Sequence, residues 1–317
     1  MTAPGAAPRA VVFAYHEVGV RCLRVLLAGG VDVALVVTHD DDPAENIWYG
    51  SVRAVCREHG IATAVHPDPA DPALLAAVRA ARPDFLFSFY YRHMLPAAVL
   101  AVAPAYNMHG SLLPKFRGRA PVNWAVLHGA DRTGATLHEM TVKPDAGAIV
   151  AQTAVPILPD DTAFEVFGKV TVAAEQTLWG VLPALLAGDA PRRDNDLRQG
   201  SYFGARTPAD GRIDWCADAQ TVYNLHRAVA PPYPGAHTEV GGLTLTLARA
   251  RLLPGGLASG MTSGMAPGLA VLDGGIVGVC GDGRMLAISS LLDGAAEVSP
   301  QQLQTMLANS AAQIDIT

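Results

Sequence analysis

Short, nearly uninterrupted apolar runs alternate with stretches of helical periodicity through the first two-thirds of the sequence. AVVFAY (10–15) reads as a buried strand followed by a helix around 19–29. VDVALVVT (31–38) is a second strand, and GSVRAVCREHG (50–60) carries a helix that stops at Gly60. DFLFSF (84–89) and AYNMH (105–109) are further strands, each preceded by helical text. Strands that lack polar alternation and are separated by helices imply a parallel, doubly wound α/β sheet covered on both faces. The stretch 160–188 is one long helix with an Asp-Thr start and a Gly stop.

The pattern changes near residue 190. A polar linker, DAPRRDNDLRQGSYFGARTPADG, leads through a helix at 218–229 into short β runs, EVGGLTLTLARARLL and LAVLDGGIVGVCGDGRMLAISS, punctuated by glycine turns. The expected architecture is a Rossmann-like domain over residues 1–200 and a small OB-like β-barrel domain over 201–317. No internal repeat or low-complexity tract is visible.

Half of the 317 residues are hydrophobic and 16% are charged, which allows a large buried core and argues against disorder. A formal charge of −6, with only Lys115, Lys143 and Lys169 as lysines, disfavours a non-specific nucleic-acid binder. Cys22, Cys56, Cys216 and Cys280 lie far apart with no CxxC spacing, so neither a zinc site nor a disulfide framework is expected, and they read as reduced core residues. The N-terminal MTAPGAAPRA lacks a long apolar core, and no run approaches the apolar length of a membrane span, so the expected location is cytoplasmic.

Several common chemistries lack their motif. The first strand leads into YHEVGV rather than a Gly-x-Gly-x-x-Gly loop, which disfavours a dinucleotide. GVCGDG (278–283) has similar spacing but falls in a β-hairpin region, where turn glycines explain it. Gly168-Lys169 continues as Val170 inside a helix and is no P-loop, and there is no GxSxG elbow or HExxH pair.

The segment NMHGSLLPKFRGR (107–119) is different. It places an amide, an imidazole, a hydroxyl and three cations within thirteen residues. Asn107 and His109 sit two apart on a strand, so their side chains share a face at the carboxyl edge of the sheet, where ligands bind in open α/β folds. Downstream, KPDAGAIV (143–150) presents Asp145 in a turn before an apolar strand. An Asp in such a turn ordinarily caps its own backbone, and a single strand-end histidine is ordinarily structural; the combination points to chemistry.

This constellation, Asn-x-His, then Ser-Leu-Leu-Pro, then the downstream Asp, resembles the signature of the formyltetrahydrofolate-dependent formyltransferases. The resemblance implies a Rossmann-like catalytic domain, 10-formyltetrahydrofolate as formyl donor, no metal, and Asn107, His109 and Asp145 as the catalytic trio. It leaves open whether His109 is a base or a protonated oxyanion stabiliser.

Within the family, segments such as THDDDPAENIWYGSV, FSFYYRHML, FGARTPADGRIDW and HRAVAPPYPGA resemble most the half of the bifunctional polymyxin-resistance protein that formylates UDP-4-amino-4-deoxy-L-arabinose, a lipid A precursor. A methionyl-tRNA formyltransferase would need a basic loop after the second strand, and here stand Asp40, Asp41, Asp42 and Glu45; from residue 201 onward, six arginines and no lysine face nine acids. Arg117, Arg119 and Arg206 are placed to bind a diphosphate, with Arg119 and Arg206 preferred, Tyr49 could stack on a uracil, and Ser111 completes the candidate acceptor site. Phe87, Ser88, Tyr90 and Tyr91 are the candidates for the pterin. The relative carries a dehydrogenase half acting on UDP-glucuronic acid, so a separate dehydrogenase is an expected functional partner, with no nucleic acid or membrane involved. Alternatives are methionyl-tRNA formylation, another amino-sugar nucleotide as acceptor, hydrolysis of the donor to formate, or a non-catalytic folate or UDP-sugar binder.

Overall fold

Each apolar run of the first half forms a strand in a computed structural model, which describes residues 7–66, 68–254 and 265–314, with side chains to residue 310. The first six residues, part of the N-terminal stretch read above, lie outside the described residues. The chain divides into two compact units, one of residues 1–122, 131–156 and 167–204, the other of 123–130, 157–166 and 205–317.

The strands of the first unit are β1 (Arg9–Ala14), β2 (Asp32–Thr38), β3 (Thr63–Val65), β4 (Phe85–Phe89), β5 (Ala105–His109), the two-residue β6 (Arg117–Gly118), β7 (Arg132–Glu139), β8 (Ile149–Pro156) and the two-residue β9 (Tyr202–Phe203). Seven form one sheet in the order β3-β2-β1-β4-β5-β7-β8. The first five run parallel, as expected, but β7 is antiparallel to β5 and β8 to β7. The sheet is therefore parallel-dominated rather than wholly parallel.

The helices are α1 (His16–Ala28), α2 (Val52–Glu58), α3 (Pro72–Ala80), α4 (Ala97–Leu100), α5 (Pro121–Leu127), α6 (Ala163–Ala187), α7 (Ala219–Val229) and α8 (Pro300–Ile314). Where start signals exist in the sequence, they work. Asp71 accepts from the Ala73 N–H at 2.8 Å with Pro72 in the first turn of α3, and Thr162 and Glu165 form a reciprocal cap on α6. Helix α1 begins earlier than its periodicity suggests, because Tyr15 makes no side-chain cap and His16 turns straight off β1 at φ 65°.

Phe13, Phe87, Phe89, Leu86 and Met108 fill the core around the central strands and are essentially inaccessible. Helix α6 is, contrary to the sequence reading, long and apolar enough to cross a membrane by length and composition; half of its most apolar stretch is buried within the protein, and Glu175 pairs with Arg21. That is the pattern of a core helix. Cys22, Cys56 and Cys280 are buried as expected, but Cys216 is exposed.

The second unit holds β10 (Ala236–Val240), β11 (Leu243–Leu252), β12 (Gly268–Leu272), β13 (Gly275–Val279), β14 (Met285–Asp293) and β15 (Ala296–Glu297). They form an antiparallel sheet in the order β10-β11-β14-β13-β12, with β15 on β14. Register shifts on either side of Arg249 bend β11, which curls the sheet in the OB-like manner expected. The glycine-rich GVCGDG joins the antiparallel β13 and β14, so its glycines serve a hairpin.

Candidate active site

Strand β5 carries Asn107 and His109 on one face, and β7 returns beside it in a register that sets His138 directly opposite Asn107 and Thr136 opposite His109. Thr136 donates from its hydroxyl to the Ser111 carbonyl at 2.6 Å and accepts from the Leu113 N–H, which ties the Ser-Leu-Leu-Pro run to the sheet. The turn between β7 and β8 then folds back over this face. Asn195 holds it, donating to the Asp145 and Gly147 carbonyls at 3.0 and 3.1 Å. Gly147 is required there, because a Cβ would fall 1.9 Å from the Glu139 carbonyl oxygen.

The result brings the three sequence-predicted residues together. His109 Nδ1 and His138 Nε2 each lie 3.6 Å from the same oxygen, Oδ1, of Asp145, while Oδ2 accepts from the Gly118 N–H at 2.8 Å. His109 Nε2 donates to the Phe116 carbonyl at 2.8 Å. Asn107 Nδ2 lies 3.1 Å from His138 Nε2. All of this is enclosed, with side-chain exposures of 7% for His109, 2% for His138 and 12% for Asp145.

Burial by itself would raise the Asp145 pKa. The His109 charge, with the Gly118 N–H, outweighs it and holds the carboxyl well below the usual carboxylate range. Asp145 is thus a fixed anion. Its backbone sits at φ 49°, and Tyr90, Phe116 and His16 are also left-handed, at 58°, 54° and 65°. Such residues cost on the order of 1–3 kcal/mol each and gather where a site is held in one geometry.

The loop that follows β5 has a clamp that sequence reasoning did not find. β6 pairs in parallel with β9, Ser201 accepts at Oγ from the Phe116 N–H at 2.9 Å, and the Phe116 and Phe203 rings stack at 5.8 Å. The clamp fixes the carbonyl that His109 donates to. Ser111 belongs to the same scaffold: it is fully buried and donates to the Lys115 carbonyl at 2.6 Å, so it shapes the loop rather than facing an acceptor.

The remaining candidates are spread more widely. Arg117 is half-buried with its guanidinium 5.9 Å from the Tyr202 ring, and Arg119 donates to the Arg92 carbonyl at 2.9 Å. Arg206 belongs to the second unit, where it lies 4.8 Å over the Trp124 ring and donates to the Asp210 carbonyl; burial lowers its pKa. Tyr49 donates to the Tyr15 hydroxyl at 3.1 Å, accepts from Arg92 at 3.3 Å, and has one ring face 3.6 Å from His16. The acidic loop after β2 is pinned down: Asp40 pairs with Arg53, Asp41 accepts from Tyr15, and Glu45 takes a bidentate pair from Arg92 at 2.6 Å.

Phe87, Ser88 and Tyr91 are buried, with Tyr91 stacked on His39. What β4 offers a ligand is therefore the backbone beyond its end, and Tyr90, whose hydroxyl reaches over Gly110, one residue past His109. Strand β4 is the parallel neighbour of β5, with Ser88 beside Asn107. Among the described residues no cluster of His, Cys, Asp or Glu could hold a metal ion.

His138, Asn195 and Ser201 are the residues that the sequence reading missed. His138 had a signal, a Thr-Leu-His run ending a strand, but only an antiparallel β7 places it opposite Asn107.

A parallel-dominated α/β sheet with a polar, charge-bearing site on β5, followed by a curled antiparallel sheet, defines a two-unit enzyme. The chain belongs to the formyl transferase family: residues 18–182 match the formyl transferase model and residues 206–305 that of the formyl transferase C-terminal domain. It is similar in fold to the N-formyltransferase of Helicobacter canadensis, solved with folinic acid and dTDP-3-aminofucose (15% identity, TM-score 0.66, 89% of this chain and 99% of that one). WlaRD, a sugar 3N-formyl transferase solved with dTDP and 5-N-formyl-THF, gives 15% identity and a TM-score of 0.68 over 90% of this chain and 98% of that one. HypX of Aquifex aeolicus, in complex with tetrahydrofolic acid, gives 17% and 0.64, over 94% of this chain and 47% of that one.

Proposed function

We propose that the enzyme transfers a formyl group from 10-formyltetrahydrofolate to the 4-amine of UDP-4-amino-4-deoxy-L-arabinose. The observation that carries the formyl-transfer reading is the convergence of Asn107, His109 and Asp145 beside the clamped loop of a chain in the formyl transferase family. The backbone beyond β4 and Tyr90 adjoin Asn107 and suit a flat pterin; related folds have been solved with folates.

The acceptor amine attacks the formyl carbon, and negative charge develops on the formyl oxygen. The second N–H of Asn107 Nδ2 donates to that oxygen, a kind of contact worth about 3 kcal/mol. His109 Nε2 donates to the Phe116 carbonyl and its Nδ1 faces the Asp145 carboxylate 3.6 Å away, and in this reading the ring, protonated beside that anion, presents positive charge to the oxyanion. Asp145 holds that charge in place, and the proton the amine loses passes through water to the leaving folate nitrogen as the formamide forms. Arg119 holds the diphosphate, supported by Arg117, and one face of Tyr49 stacks on the base.

A second reading, transfer to a different amino-sugar nucleotide, is favoured by the dTDP-amino sugar bound to the H. canadensis protein. Formyl transfer followed by mass spectrometry on UDP-4-amino-4-deoxy-L-arabinose, a dTDP-amino sugar and methionyl-tRNA separates these. A gain of one formyl group on the UDP sugar alone is expected; a gain only on either other acceptor refutes the proposed acceptor, and formate release without any acceptor refutes transfer itself.

A further inference from the structure

We propose that His138 is a positioning residue that fixes which end of the Asn107 amide faces the reacting formyl oxygen. The inference rests on the formyl-transfer reading above and adds to it a fourth side chain. Its basis is hydrogen-bond polarity. His138 Nδ1 lies 2.8 Å from the Glu139 carbonyl oxygen, which can only accept, so Nδ1 carries a proton. In the neutral ring Nε2 is then a bare acceptor, and Asn107 Nδ2 at 3.1 Å is the donor that meets it.

The amide is therefore turned with its NH2 end to the ring, and the second N–H of that nitrogen remains for the oxyanion. Rotating the amide by half a turn would set its carbonyl oxygen against a nitrogen lone pair and would present a second acceptor to a developing anion. Both consequences are unfavourable. The Asp145 oxygen, 3.6 Å from the same Nε2, lies beyond hydrogen-bond reach and leaves that nitrogen to Asn107.

The placement is built into the sheet. Asn107 and His138 are directly opposed across β5 and β7, and His138 is 2% exposed, so its ring has no alternative partner in solvent. The device needs an antiparallel β7, since the cross-strand register alone brings the two side chains to one face.

The test compares two conservative replacements in the full chain. His138→Gln carries its amide oxygen out to about the position of Nε2 and can still accept from Asn107. His138→Asn reaches only the position of Nδ1: it can keep the Glu139 contact but not the Asn107 one. The expected result is a kcat within a few-fold of the parent for Gln and a loss of about 10- to 100-fold for Asn, below the full effect of deleting an oxyanion donor. The KM for donor and acceptor should stay within about two-fold in both, since ground-state binding is untouched.

His138→Asn should also cost nothing further in a chain that already carries Asn107→Ala, because it acts only through that amide. The reverse ranking, Asn active and Gln impaired, would mean that His138 merely braces the Glu139 backbone and would overturn the proposal. Equal losses from His138→Asn in the parent and in the Asn107→Ala variant would overturn it as well. A parent enzyme that formylates no amine sinks the functional reading and this proposal together, whereas an active parent with either of those variant results sinks this one alone.

Discussion

Two groups of partly buried titratable side chains in the first unit show desolvation with opposite outcomes. At Asp145, burial opposes the charge and is overruled by His109 and the Gly118 N–H, so the carboxylate persists. At His16 and His39 burial also opposes the charge, and their neighbours reinforce it: Arg92 near His16, and His93 then Arg92 near His39, so their pKa values fall to about 3 and about 4. Their other contacts are rings, Tyr49, Trp48 and Phe167 around His16 and Tyr91 against His39. Depth alone does not say which buried group is reactive; the sign of the neighbouring charge does.

The sharpest way to break this comparison is to remove the charged partners. His109→Ala and Asp145→Ala should each lower the rate of formyl transfer by at least about 100-fold in protein that is still folded. If the folded variants keep full activity, the charged cluster is structural and the two regions are not different in kind.

A second effect concerns stability. Asp145 has a depressed pKa in the folded state, so its contribution is fully present above about pH 4, the unfolded value, and is lost as pH falls through the folded one. Asp145→Asn should therefore melt below the parent at pH 7, with the gap shrinking on acidification below about pH 4. A gap that is constant with pH would show that charge is not what the site stabilises.

How much of this could be read from residues follows the same division. The strands and most helices were legible because apolar runs, Asp71-Pro72 and the Thr162/Glu165 cap are local signals. The approach of Asn107, His109 and Asp145 could be anticipated because the motif is dense and Asn107 and His109 share one face of β5. The antiparallel direction of β7 was not legible, since a buried strand beside another looks alike in either direction, and His138 was missed with it. The clamp by Ser201 and the tie by Asn195 were also invisible, because they reach across 85 and 50 residues and depend on backbone atoms. Ser111 shows a related limit, since a hydroxyl in a dense motif looks available until its partner, the Lys115 carbonyl, is seen.

Smaller effects should come from the neutral histidines. Both hold fewer protons when folded than when unfolded once pH falls below about 6.5, so stability is complete above that value and declines as pH falls toward about 4 for His39 and about 3 for His16. His39→Gln keeps an acceptor for the Arg92 N–H and removes one titrating group. Its melting temperature should fall less steeply than the parent's between pH 6.5 and 4. An unchanged slope would place the acid sensitivity elsewhere.

The smallest effect is expected at Tyr49, where the two regions meet function differently. Its hydroxyl belongs to the Tyr15–Arg92 network, so only the ring remains for the proposed contact with a base, and one face of that ring already lies against His16. Tyr49→Phe removes the hydrogen bonds and should cost about 1 kcal/mol of stability, with the KM for the nucleotide acceptor within about two-fold of the parent. Tyr49→Ala removes the ring and should raise that KM several-fold if the open face stacks on the base. If Phe raises the KM as much as Ala does, the hydroxyl rather than the ring serves the acceptor. If neither changes it, Tyr49 is part of the packing that holds the acidic loop after β2 and has no direct part in recognition.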